Sequence, residues 1–263
     1  MKGLPIIALC LSLCFGQAAA AAYFVEAESI LDSPQWVNVT AAGSTVSAYV
    51  VTEPSASGES GLCVIDGGMA SADNFLYYTT AGGTFENGCA TAVVRMKVTA
   101  DVGFSGPWTR NIILSLNRGP KSSRRGVGLA VRPDSAAVTN TLGTQIYGGE
   151  IPGDNTRWVV WTIVARDYGY YFDVYRNGVK VVDNASNGSA TESAIGGSVG
   201  IDALVIASNP AGGTGSWLFD WVAYKSGEDP YWCVPEPGLS TLLGGMIFFF
   251  LASAPGGRRR RTL

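Results

Sequence analysis

The segment Arg157–Val182, RWVVWTIVARDYGYYFDVYRNGVKVV, contains the clearest fold signal in the chain. Its first part, Trp158 to Ala165, is apolar at both alternating sets of positions, which is typical of a strand covered on both faces. Two further runs, Tyr170 to Tyr175 and Val179 to Val182, flank Asn177-Gly178. Because Asn-Gly is the dipeptide best suited to a type I′ turn, these two runs are predicted to form a β-hairpin.

A second strand signal lies upstream, from Ala90 to Ala100, where apolar and polar residues alternate with the period of a strand that is buried on one face. The apolar positions are Ala92, Val94, Met96 and Val98, and the polar positions are Thr91, Arg95, Lys97 and Thr99.

From Asn111 to Asn117 the same alternation recurs. It predicts that Ile112, Leu114 and Leu116 face inward and that Asn111, Ser115 and Asn117 face outward. Val199 to Ala207 and Ser216 to Tyr224 are predicted as closing strands, and no stretch of the mature chain has helical periodicity. The predicted fold class is therefore all-β, an antiparallel β-sandwich.

The same segments resemble a known family. The run Arg157 to Val164 and the hairpin Tyr171 to Val181 are similar to the tryptophan strand and tyrosine-x-asparagine-glycine hairpin of concanavalin A-like and laminin G-like jelly rolls. Phe219 to Tyr224 resembles their final strand. The resemblance implies a jelly roll whose last strand pairs with the first, which places Phe219 to Tyr224 beside Tyr23 to Glu28.

The C-terminus has three consecutive features: Val234-Pro235-Glu236-Pro237, an apolar run from 239 to 254, and Arg258-Arg259-Arg260-Arg261. At ~1.5 Å per residue the apolar run spans ~24 Å as a helix, somewhat short of a ~30 Å hydrocarbon core. It is predicted to be a transmembrane helix, with the arginines as a cytoplasmic anchor. The tail resembles the PEP-CTERM sorting signal, which implies processing by an exosortase. The alternative is a permanent anchor without processing.

The N-terminus has the features of a secretory signal peptide. Met1-Lys2 is basic, Leu4 to Phe15 is an apolar helical core, and Gln17 to Ala22 is rich in small residues. The predicted division is a signal peptide at 1–22, a β-sandwich domain at 23–232 and a sorting tail at 233–263. The predicted localisation is export, a transient tether to the inner membrane through the C-terminal helix, and then the cell surface or extracellular space.

Composition excludes several functional classes. The chain has no histidine and a formal net charge of -3, so it has neither a Ser-His-Asp triad nor the basic surplus of nucleic-acid binders. A glycoside hydrolase needs two carboxylates across a cleft, and only Glu26 and Glu28 form a close pair on a predicted strand. The chain is predicted not to be an enzyme. A hydrolase that uses Glu28 is the alternative.

Three cysteines remain in the predicted mature chain: Cys63, Cys89 and Cys233. In an exported protein a pair of cysteines is expected to form a disulfide. Cys63 and Cys89 are the predicted pair because both lie on or beside predicted strands. Cys233 is then left over beside the sorting motif, where it could pair with one of the others, join a partner or stay reduced.

A second resemblance concerns the two ends of the domain. Glu26-Ala27-Glu28 and Phe219-Asp220-Trp221 are similar to the ends of family 6-type carbohydrate-binding modules, which implies a structural calcium ion. On a strand, Glu26 and Glu28 would point to one face, and Asp220 beside them would complete an oxygen site. The alternative is an acidic edge that discourages edge-to-edge pairing.

Aromatic residues provide candidates for sugar binding, since their rings suit wet binding surfaces. The predicted contacts are Trp108 and Tyr168, which lie at predicted loop edges, together with Tyr170 and Tyr171. The basic loop 118–125 could meet an acidic polysaccharide or form a solvated hairpin tip.

Trp158, Trp161 and Trp221 lie inside strand patterns and are predicted to pack in the core. The predicted function is a non-catalytic surface or matrix protein that binds exopolysaccharide. A purely structural surface protein is the alternative.

Overall fold

A computed structural model describes residues 23–32, 36–38, 47–52, 60–67, 75–79, 88–104, 110–116, 125–140, 144–187, 203–209, 213–228 and 230. Chain contacts divide the protein into two units, Met1–Pro230 and Tyr231–Leu263, and every described residue belongs to the first. The predicted signal peptide, membrane span, sorting motif and arginine cluster lie outside the described residues. Within the described ranges, no helix is long and apolar enough to cross a membrane.

The described residues are almost entirely β-structure. One 3₁₀ helix, Ala27–Ile30, follows the first strand. The strands are β1 (Tyr23–Glu26), β2 (Trp36–Asn38), β3 (Ser47–Thr52), β4 (Ser60–Gly67), β5 (Phe75–Thr79), β6 (Ala90–Phe104), β7 (Arg110–Leu116), β8 (Arg125–Val131), β9 (Ser135–Asn140), β10 (Ile151–Pro152), β11 (Val159–Arg166), β12 (Tyr171–Arg176), β13 (Val179–Ser186), β14 (Ala203–Asn209) and β15 (Gly213–Ser226).

These strands form two antiparallel sheets. The first has the order β13-β12-β11-β6-β15-β4-β3, with β1 also paired to β15, and the second has the order β10-β9-β8-β7-β14-β5-β2. Their inner faces share one core, in which Trp161, Phe172, Trp217 and Phe219 are among the largest fully buried side chains. The indole of Trp217 donates to the carbonyl of Val131 in the second sheet, at 3.0 Å. The observed fold is a β-sandwich, as the sequence predicts.

The predicted hairpin is confirmed at β12 and β13. Asn177 and Gly178 have φ angles of 50° and 77°, the left-handed pair that a type I′ turn requires. Asn177 also links the turn to the neighbouring strand β11. Its backbone N–H donates to the carbonyl of Val160 at 2.8 Å, and its side-chain oxygen accepts from the Val160 N–H at 2.9 Å.

The predicted positions of the other strands also hold. β11 lies between β12 and β6 and is buried on both faces, which explains its continuous apolar sequence. In β6 the apolar set from Ala92 to Val98 is buried in the core. The first and last strands pair as the family resemblance implies, with Tyr23 opposite Tyr224 and Glu26 opposite Trp221.

One predicted orientation is wrong. Asn111, expected to face solvent, is fully buried. Its side-chain oxygen accepts a hydrogen bond from the Val131 N–H at 2.8 Å. The outer face of the second sheet is buried at this point too, since Ile113, Ala130 and Ala137 are fully buried. Alternation identifies the two faces of a strand, but it does not show that both are covered.

Candidate functional site

The outer face of the first sheet has a cationic pair on β6. Val94 and Met96 point into the core, so Arg95 and Lys97, which alternate with them, lie on the opposite face. Both side chains are half-buried. The alternation of the sequence predicts this orientation correctly.

Trp158 lies beside this pair. It directly precedes β11, whose Val159 and Val160 are opposite Met96 and Arg95, so Trp158 falls next to Lys97. The guanidinium carbon of Arg95 is 5.0 Å from the centroid of the Trp158 ring, and the Lys97 Nζ is 4.8 Å from it. Both distances are within the ~6 Å range of a cation–π contact. The ring is half-buried. It is therefore held by its neighbours, and part of it faces solvent.

Asp220 completes the group from β15. It forms a hydrogen bond and an ion pair with the guanidinium of Arg95, and it is only 7% exposed. The register of β15 against β6 shifts between Phe219 and Trp221, so Asp220 is an extra residue at a β-bulge. Bulges commonly re-aim side chains, and this one places Asp220 across from Arg95. We call Arg95, Lys97, Trp158 and Asp220 the Trp158 platform.

The platform contains charges of both signs. Arg95 and Lys97 contribute two positive charges and Asp220 one negative charge. Glu26, exposed and paired in register with Trp221, contributes a second negative charge. Hydrogen-bond donors and acceptors beside an aromatic ring suit a hydroxyl-rich ligand.

The tyrosines predicted to bind sugar lie elsewhere. Tyr171 is opposite Arg166, eight positions along β11 from Trp158, which is about 26 Å at ~3.3 Å per residue. Tyr170 and Tyr171 are brought together, with ring centroids 4.7 Å apart in an edge-to-face arrangement. Tyr171 is 38% exposed.

The Tyr168 ring packs against Gly88, where an added Cβ would lie 2.6 Å from it, and the Tyr168 N–H donates to the Gly88 carbonyl at 2.8 Å. The remaining predicted sugar contact, Trp108, lies outside the described residues.

Near the tyrosines, Asp173 joins three strands. Its carboxylate accepts from Arg166 at 2.7 and 3.0 Å, from the Asn184 N–H at 2.6 Å, and from Lys180, whose Nζ is 3.2 Å away. Burial raises the pKa of Asp173, but the hydrogen bonds from Arg166, Asn184 and Lys180 outweigh it and lower the pKa to about 2. Asp173 therefore stays ionised and has a structural role.

The predicted disulfide between Cys63 and Cys89 is wrong. Cys63 and Lys97 lie on opposite sides of Leu218 in the sheet, and Cys89 is eight positions before Lys97 on the β6 side. The two cysteines are thus two strands and about 26 Å along the strands apart, whereas a disulfide requires Cα atoms within ~7 Å. Cys89 instead donates from its Sγ to Glu228 at 3.4 Å. Cys233 lies outside the described residues.

The strand geometry assumed for the calcium site is also wrong. β1 ends at Glu26, and the 3₁₀ helix that starts at Ala27 contains Glu28, so the two glutamates are not alternate residues of one strand. The carboxylate of Asp220 is bound to Arg95. Among the described residues, no three acidic, cysteine or histidine side chains form a group that could hold a metal ion.

Sequence reasoning missed the Trp158 platform because it assigned Trp158 to the core. Trp161 is confirmed as a core residue and Trp221 is buried, but Trp158 lies on the outer face. A signal was present. Trp158 is three positions before the core residue Trp161, an odd number, so on one strand the two rings must lie on opposite faces. One of the two rings therefore had to lie on the outer face of the sheet.

No family model and no curated protein matches this sequence. Solved structures with similar folds include the cellulose induced protein Cip1, with a TM-score of 0.53 and 12% identity over 78% of this chain and 97% of that one. A carbohydrate esterase from bacteriophage phi24B has a TM-score of 0.49 and 15% identity over 78% and 97%. The carbohydrate-binding module CBM66 from Bacillus subtilis has 0.43 and 15% over 73% and 96%. The similarity to Cip1 shows a shared β-sandwich fold.

Proposed function

We propose that the protein is an exported, non-catalytic β-sandwich that binds a polysaccharide at the Trp158 platform. The observation that carries this proposal is the half-buried Trp158 ring, which contacts Arg95 and Lys97 on the outer face of the first sheet. Its setting is the cell surface or the extracellular matrix.

The platform has the parts that sugar recognition needs. An indole face contacts the apolar C–H face of a sugar ring, and its amphipathic character suits a wet surface. Arg95 has only hydrogen-bond donors and the ionised Asp220 has only acceptors, so together they match hydroxyl groups, which are both. Because Arg95 already contacts both Trp158 and Asp220, little side-chain entropy is lost when a ligand binds.

The fold agrees with this proposal. The sandwich is similar to that of Cip1, which is named as a cellulose induced protein. That likeness supports the fold alone, so the ligand is inferred from the platform. The absence of histidine from the whole sequence argues against the common nucleophilic mechanisms and favours binding over catalysis.

The two ends of the sequence support export. We infer that residues 1–22 are removed as a signal peptide and that the tail from 233 to 263 tethers the protein to the inner membrane until an exosortase-type enzyme processes it. The proline-rich motif at 235–237 favours an open chain that a processing enzyme can grip.

The test is retention of the purified mature protein on a panel of immobilised polysaccharides, neutral and acidic, from its own source. We expect retention on at least one neutral polysaccharide, without release of reducing sugar. If no polysaccharide retains the protein, a structural surface protein is the better account. If reducing sugar appears and Glu28→Gln abolishes it, the protein is a hydrolase.

A further inference from the structure

A row of side chains extends from the Trp158 platform across the outer face of the first sheet. The strand register places Tyr49 opposite Cys63, Cys63 opposite Leu218, and Leu218 opposite Lys97. Lys97 in turn lies beside Trp158. Five neighbouring segments, β3, β4, β15, β6 and the start of β11, thus each contribute one residue to the same level of the sheet.

The two ends of this row are aromatic and solvent-accessible. Tyr49 is 46% exposed, and Trp158 is half-buried. Between them lie Cys63 and Leu218, which are buried. Four steps of ~4.8 Å between neighbouring strands separate the backbone positions of the two aromatic residues by about 19 Å.

Tyr49 is held over the sheet. Its neighbours Ala48 and Val50 pair with the core residues Val64 and Leu62, so Tyr49 points to the outer face. A hydrogen bond with the thiol of Cys63 raises the pKa of the Tyr49 phenol. This contact links Tyr49 to Cys63 on the neighbouring strand β4. An exposed aromatic ring on the same face as Trp158 offers a second stacking surface to a ligand.

We propose that Tyr49 and Trp158 are the two ends of one binding row that crosses the strands and takes an internal stretch of a linear polysaccharide. The ligand class is a chain long enough to reach across about 19 Å, not a monosaccharide or disaccharide. This inference rests on the proposed polysaccharide-binding function and adds the direction and length of the bound chain.

Chain length is expected to control affinity. A ligand that reaches both rings makes its second contact within the complex, at a high effective concentration, whereas a short ligand makes one contact only. One additional aromatic contact worth about 1.4 kcal/mol corresponds to about a tenfold gain in affinity.

The experiment measures the affinity of two-unit and six-unit oligosaccharides obtained by partial hydrolysis of the polysaccharide that retains the protein. Wild type should bind the six-unit probe at least about tenfold more tightly than the two-unit probe. Tyr49→Ala should abolish this difference by weakening the six-unit probe alone. Tyr49→Phe, which keeps the ring, should restore most of it.

The controls separate the two proposals. Val50→Ala, on the same strand but with its side chain toward the other face, should leave both affinities unchanged. If Trp158→Ala weakens binding while Tyr49→Ala does not, or if the two probes bind equally, the row is wrong and the platform stands. If no polysaccharide retains wild type, the proposed function and the row both fail. Thermal melting of each variant shows whether it is folded.

Discussion

Asp173 shows how strongly one side chain can depend on its neighbours. It is 3% exposed, yet it receives hydrogen bonds from Arg166 on β11 and from Asn184 and Lys180 on β13. A hydrogen bond with Asp183, and further contacts with Asp173, raise the pKa of Lys180. Loss of the Asp173 carboxylate would remove this partner from the charges of Arg166 and Lys180. It would also remove the side chain that joins the three strands.

The pH dependence of stability follows from this carboxylate. The pKa of Asp173 in the folded protein is about 2, below the ordinary ~3.9, so its contribution is fully present above pH ~4 and is lost as the pH falls toward 2. We expect about 2 kcal/mol of the free energy of unfolding to disappear across that window. Urea unfolding at pH 6 and at the lowest pH at which the protein remains folded measures it. In Asp173→Asn this loss should be much smaller, and an equal loss in both proteins would contradict the assignment.

Trp158 is predicted to pack in the core, but in the structure it lies on the outer face of the first sheet. The apolar run from 158 to 165 correctly predicts a central strand, because both faces of β11 are buried. It does not reveal which tryptophan meets solvent, since that depends on the register with Arg95 and Lys97, more than 60 positions away. The cationic pair was predictable from alternation in β6, but its aromatic partner was not.

At the scale of elements, the Asn177-Gly178 turn is the best determined feature. Both residues adopt left-handed φ angles, and open space surrounds Gly178. A side chain added at Gly178 would meet no atoms, so only the left-handed backbone conformation disfavours the substitution.

Gly178→Ala should therefore destabilise the protein by about 1 to 2 kcal/mol, the cost of a left-handed residue other than glycine. Gly148→Ala is the matched control, because Gly148 also has open space around it but lacks a positive φ. Its effect on the free energy of unfolding should stay within about 0.5 kcal/mol. Denaturant titration compares the two, and equal effects would show that the turn does not require glycine.

The arrangement of β4, β15 and β6 determines the state of the cysteines. Cys63 and Cys89 sit at different levels of the sheet, and no local movement brings them together. Peptide mapping of the non-reduced protein should find no cross-link between the peptides that contain them. Finding that cross-link would mean that β4 and β6 are arranged differently.

Elements with clear alternation, a continuous apolar run or a recognisable turn were predictable, and several others were not. β6, β7, β11 and the hairpin match their predicted positions closely. β8 and β9 escaped prediction, because glycine and alanine on their outer faces, such as Gly128 and Ala137, give little contrast between apolar and polar positions. The strand geometry assumed for Glu26 and Glu28 was wrong for a similar local reason, since the chain leaves the strand for a 3₁₀ turn after Glu26.

For the whole molecule, the sandwich and the sorting tail have separate roles in the proposal. The sandwich provides the binding face, and the tail directs the protein to its location. Replacing Pro235, Glu236 and Pro237 with alanine should leave the protein in the inner membrane, because the motif that the exosortase would recognise is removed. Membrane fractionation measures this, and an unchanged distribution would contradict the sorting proposal while leaving the binding face untouched.

We propose that the outer face of the first sheet binds polysaccharide through Trp158. The most direct measurement is the dissociation constant of Trp158→Ala and Tyr171→Ala on the polysaccharide that retains wild type. Both variants remove a partly exposed aromatic ring from the same face, about 26 Å apart along the strands. We predict at least a tenfold weakening for Trp158→Ala, about 1.4 kcal/mol, and less than a twofold change for Tyr171→Ala. The reverse pattern would contradict the account and place the binding site at the tyrosines.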